Sequence, residues 1–115
     1  MLYRPMAAAA LCASLAFLPV LGAAQGISVE GALDCGQWSA ARTKERAGYF
    51  EHYLLGLLNG MALGKRIEFW HAGGRSSPSR EAVYLWMDKY CRENPLSHFI
   101  TGAFELFAER TTTRP

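Results

Sequence analysis

The sequence predicts an all-α fold, a small bundle of three to four short helices closed by one disulfide. Apolar residues recur at helical spacing in several stretches, and no stretch alternates with the period of a strand. Two marked breaks, Gly73-Gly74 through Pro78 and Asn94-Pro95, cut those stretches to domain-sized lengths. Two cysteines, Cys35 and Cys91, flank most of the apolar sequence. At 115 residues, half of them hydrophobic, the chain suits one globular domain and not a disordered segment.

Residues 1–24 read as a cleaved secretory signal. Arg4 supplies a positive start, Met6 to Leu18 an apolar Ala-rich run, Pro19 a break, and Gly22-Ala23-Ala24 the small residues of a cleavage site. The run is short of the roughly 20 apolar residues that a membrane helix needs, so an uncleaved anchor is the lesser alternative. Cys12 leaves with the signal. An even pair of cysteines in a small exported domain reads as a disulfide, whereas two free thiols would need a reducing compartment. The pair is separated by 56 positions. A loop of that size stabilises by about 4 kcal/mol in the chain-entropy model, comparable with the whole stability of a small domain.

The domain is expected over residues 25–110. Residues 25–33, with Gly26 and Gly31, are a mixed lead-in, extended or disordered. Cys35 opens a weakly helical stretch, Gln37 to Ala47, in which Trp38 and Ala41 share a face. Tyr49 to Trp70 carries the strongest helical signal: Tyr49, Phe50, Tyr53, Leu54, Leu57, Leu58, Met61 and Ala62 follow the i, i+3, i+4 pattern. Leu55 and Leu63 widen this stripe until it nearly encircles the helix, as in a helix covered on most sides. Gly56, Gly60 and Gly64 recur along it, each costing about 1 kcal/mol against alanine. They point to a close approach by another helix, from within the domain or from a second copy across a homodimer seam. Gly64 is also a candidate helix end. Asn59 interrupts the apolar run, which is too short to span a membrane, so no span is expected in the mature chain.

His71 to Ser79 reads as a loop. Ser77 fits the N-cap and Pro78 the first position of the next helix, with Glu81 in its first turn. That helix runs from Arg80 to about Glu93, with Val83, Trp86, Met87 and Tyr90 on one face and Cys91 beside it. Asn94 fits a second N-cap and Pro95 a second helix start. Leu96, Phe99, Ile100, Ala103, Phe104, Leu106 and Phe107 then form an apolar stripe to about Glu109. Residues 111–115 read as a frayed polar tail. Cys35, Cys91, Trp38, Trp86 and Pro95 are the expected structural anchors.

The formal charge is +2, with no basic run, which argues against a nucleic-acid partner. His52, His71 and His98 make no metal pattern with the cysteines, both of which the disulfide consumes. No nucleophile elbow, zinc-protease motif or phosphate loop is present. The sequence therefore argues against an enzyme and offers no catalytic residue, metal site or cofactor. An aromatic-rich chain of this size either fills its core or leaves aromatics exposed for a protein partner.

Cys35-Gly36-Gln37-Trp38 and Tyr90-Cys91-Arg92-Glu93-Asn94-Pro95 resemble the HdeA/HdeB family of periplasmic acid-stress chaperones. That family has a cysteine followed by an aromatic three residues on. It also has a Tyr-Cys pair, two polar residues and Asn-Pro before an amphipathic helix. The resemblance implies a helical, often dimeric protein whose two cysteines are joined and which holds unfolding clients in acid. Tyr53-Leu54-Leu55-Gly56-Leu57-Leu58-Asn59-Gly60 is also similar to the central helix of Tai/Rap-type immunity proteins. These are exported helical inhibitors of type VI secretion toxins. That second likeness implies a toxin partner, met by a loop for which His71, Arg75, Ser76 and Ser77 are the candidates.

Overall fold

The computed structural model describes residue 26 and residues 28–112; the expected signal segment lies outside the described residues, as do residues 113–115. Four α-helices make up the fold: α1 (Cys35–Thr43), α2 (Gly48–Lys65), α3 (Arg80–Glu93) and α4 (Phe99–Thr112), with one 3-10 turn at Ala72–Gly74. Among the described residues there is no strand, and extended backbone pairs only at an isolated bridge between Asp34 and His98.

Asp34 starts α1 through a capping box. Its carboxylate accepts from the Gln37 amide, and the Gln37 side chain accepts from the Asp34 amide. Cys35, Trp38 and Ala41 are the buried residues of this helix, one turn apart, as their spacing predicts. The helix stops at Thr43, short of the expected Ala47, because Glu45 takes a left-handed conformation and the Arg46 amide closes onto the Ala41 carbonyl. Cys35 is bonded to Cys91 across a Cα–Cα distance of 4.9 Å, fastening α1 to α3. Such a bond is compatible with an oxidising, exported location.

The second helix ends before the expected Trp70. Arg66 adopts the left-handed conformation at its C-cap, and both Arg66 and Ile67 amides return to the Ala62 carbonyl. Gly64 therefore lies inside the helix and is not its end. The chain then turns inward, and Phe69 is fully buried, stacked on Phe107 at 5.4 Å.

Two helix starts differ from their expected positions. The N-cap of α3 is Ser79, whose Oγ accepts from the Ala82 amide, and not Ser77. Pro78 sits before the helix, half-buried between loop and helices, so tertiary packing decided between two serines of equal capping ability. Asn94 likewise does not start α4. It closes α3 instead, its amide and Nδ2 both donating to the Tyr90 carbonyl. Residues 95–98 form a turn: the Ser97 carbonyl accepts from the Cys35 amide, and the Phe99 amide donates to the Leu33 carbonyl. Pro95 and Leu96 are thus outside the helix, and Leu96 is 98% exposed. At the other end α4 continues through Thr111 and Thr112, where a frayed tail is expected, with Thr111 Oγ1 donating to the Phe107 carbonyl.

Trp38, Leu54, Leu58, Met87 and Phe99 form the fully buried centre, with one or two contributed by each helix. The Trp38 ring lies 5.1 Å from Phe99 and 6.4 Å from Tyr84, and its Nε1 donates to Asp88 Oδ1 at 2.8 Å. Between α3 and α4 the close approach is made by Gly102, where an added Cβ would lie 2.5 Å from the Tyr90 ring.

Candidate functional site

Helix α2 buries Leu54, Leu58 and Met61 on its inner side. Tyr49, His52, Gly56, Gly60 and Leu63 follow one another along the opposite side in steps of three or four residues, which places them on one outward face. Tyr49 is 72% exposed and Leu63 80%, and Ile67 just past the helix end is 44% exposed. No charged residue falls between His52 and Lys65. A soluble helix normally turns charged residues outward; here, beyond His52, the exposed residues up to Gly64 are Gly56, Asn59, Gly60, Leu63 and Gly64.

The glycines belong to that exposed face. A Cβ built on Gly56, Gly60 or Gly64 would meet nothing within 4 Å. Among the described residues no other helix comes within that distance of them. What remains is a surface where a partner backbone could come close, with an aromatic at one end and aliphatic side chains at the other.

The loop singled out from the sequence is divided between two uses. Arg75 turns inward: its Nε donates to the Ala72 carbonyl at 2.9 Å, and its Nη2 to the Arg110 carbonyl. Arg110 answers from α4, donating to the carbonyls of Phe69 at 2.7 Å, Trp70, and Ser76 at 3.1 Å. The two guanidiniums thus strap the loop to the last turn of α4. Burial first, then the charge of Arg75, hold the Arg110 guanidinium below its ordinary pKa. His71, Ser76 and Ser77 stay at the surface.

A second polar cluster ties three helices. Arg42 of α1 grips Asp88 of α3 through Nε at 2.9 Å and Nη2 at 2.8 Å, and reaches Glu51 of α2 through Nη1 at 2.8 Å. The Asp88 bond is the main cause that raises the Arg42 pKa, against the opposing effect of burial. The guanidinium also lies 5.7 Å from the ring centres of Trp38 and Tyr84. The sequence indicates neither arginine strap nor charged cluster, since most of their partners, Glu51 and Ala72 apart, lie 34 to 46 positions away. Only an isolated Arg42 beside buried Ala41, and an Asp88 beside buried Met87, hinted at charges held near the core.

Among the described residues no group of three His, Cys, Asp or Glu side chains is placed to hold a metal ion, and no helix is long and apolar enough to cross a membrane. Compared with protein families, curated proteins and solved structures, the chain matches none.

Proposed function

We propose that this protein is a small non-enzymatic binding module of the periplasm, delivered there by a signal peptide, and that it holds unfolding proteins in acid as HdeA/HdeB chaperones do. One observation carries the proposal: from Gly56 to Leu63 the outward side of α2 carries no ionisable side chain, presents Leu63 and bare glycine backbone, and is covered by nothing in the described chain. An unfolded client exposes apolar segments, and such a face offers them burial without desolvating a charge. The Cys35–Cys91 bond supports a working place outside the cytoplasm.

Acid supplies a release. The Arg42 cluster joins α1, α2 and α3 through charged hydrogen bonds to Asp88 and Glu51. In acid the ten acids are neutralised while the three histidines add positive charge to the twelve Lys and Arg, less Arg4 of the signal, and self-repulsion loosens the bundle. The disulfide keeps α1 on α3 throughout, so loosening frees α2 first. The toxin-inhibitor reading rests on the 71–77 loop, in which Arg75 is engaged inward.

The test is aggregation of a defined client in acid. The processed protein should suppress it, and Leu63→Lys, which keeps its charge in acid and so charges the apolar face, should suppress it markedly less. Absence of suppression at every acidic pH would remove the proposal.

A further inference from the structure

A groove of about 340 Å³ lies on the side formed by the 69–78 loop, α3 and α4, with Phe69, Val83, Leu106 and Trp86 among its walls. Volumes of roughly 300 to 1,000 Å³ with apolar walls and a few convergent polar groups suit small ligands. The polar groups here include Arg75 and Arg110, both of which line the groove.

Their partners set the preference. Both guanidiniums donate to backbone carbonyls, those of Phe69, Trp70, Ala72, Ser76 and Arg110. Carbonyl dipoles solvate a cation without neutralising it. Among the described residues the ion pairs join Arg42 to Glu51 and Asp88 and Lys89 to Glu93, and neither Arg75 nor Arg110 takes part in one. An anion in the groove would counter the like charge of Arg75, which together with burial depresses Arg110. Glu109 lines the same groove and accepts from Trp86 Nε1 at 3.1 Å, which orients the indole as a wall.

We propose that this groove binds a free amphipathic carboxylate, its apolar tail against Phe69, Val83 and Leu106 and its carboxylate on Arg75 and Arg110. A free acid fits better than an extended peptide because the arginines already occupy the loop carbonyls that would form a main-chain rail. The assignment is independent of the α2 face.

Titration calorimetry of the full chain with decanoate, decan-1-ol and decyltrimethylammonium tests it. Decanoate should bind saturably at a single site, with the alcohol at least about tenfold weaker, the equivalent of one charge-assisted hydrogen bond, and the cation weaker still. Arg75→Gln should weaken decanoate by about tenfold or more. Arg75 also fastens the loop, so Ala82→Phe supplies the second arm: position 82 is exposed at the groove mouth, and its phenylalanine should abolish binding in a chain that melts normally. The proposal is overturned by no saturable binding, by equal affinity for acid and alcohol, or by binding that survives Ala82→Phe. Tighter binding of a peptide with an apolar C-terminal residue would overturn it too, by making the occupant a polypeptide terminus.

Discussion

Replacing Gly102 by alanine places a carbon 2.5 and 2.7 Å from two atoms of the Tyr90 ring and 2.9 Å from the Met87 sulfur. Ordinary carbon contacts lie at about 3.5–4.0 Å, so ring or helix must retreat by about 1 Å. The ring has little room to do so. It stacks on Trp86 at 5.6 Å, and its hydroxyl is hydrogen-bonded to Ser97 at 2.9 Å. Overpacking of this kind costs about 1–3 kcal/mol, and overlaps this short place it near the upper value. Alanine's better helix propensity offsets about 1 kcal/mol, leaving a net loss of about 2 kcal/mol. For a domain of this size that lowers the melting temperature by about 8–16 °C. The same substitution at Gly60, where the added carbon meets nothing within 4 Å, carries only the propensity term. It should raise the melting temperature by about 4–8 °C. Thermal unfolding followed by circular dichroism reads both. A Gly102→Ala protein that melts at or above the parent temperature would refute the α3–α4 contact. A marked loss at Gly60 would refute the open α2 face.

Three further outcomes are expected. Removing the disulfide by Cys35→Ala with Cys91→Ala should cost about 4 kcal/mol for a separation of 56 residues, seen as a lower denaturant midpoint; an unchanged midpoint would contradict its structural role. Arg110→Lys should cost about 1–2 kcal/mol, because an ammonium cannot span the carbonyls that the guanidinium fork joins, and amide exchange should quicken over the 69–76 loop and not in α1. Burial first, and then the charge of Glu51, raise the Tyr84 pKa above its ordinary value. Its stabilising contribution is therefore full below the ordinary tyrosine range and is lost as the pH climbs through the raised value. Tyr84→Phe should flatten the alkaline side of the stability profile, and an unaltered profile would count against the burial of Tyr84.

Much of this fold was legible because burial and local capping agreed. The stripe of α3 gave its bounds from Arg80 to Glu93, and the cysteine pair gave the bond between α1 and α3. Errors arose where one residue type serves two local purposes. Asn94 is as good at closing a helix as at opening one, and the pairing of residues 97 and 99 with Cys35 and Leu33 at the start of α1 chose the first. Glycine posed the same ambiguity. The regular trio of α2 drew attention, while Gly102, set within the stripe of Phe99, Ala103 and Leu106, was the one that a neighbouring helix required. Gly56, Gly60 and Gly64 were legible as a face but not as an exposed one, because that depends on where the other helices lie. The arginine straps had no local signature at all.

Site-specific photo-cross-linking to a defined acid-unfolded client tests the proposed docking face most directly. One cross-linker replaces Leu63, 80% exposed on the outward side of α2, and a second replaces Leu96, 98% exposed in the turn before α4. Position 63 should capture the client in acid far more than position 96 does. Equal capture, or capture at position 96 alone, would contradict an α2 docking face.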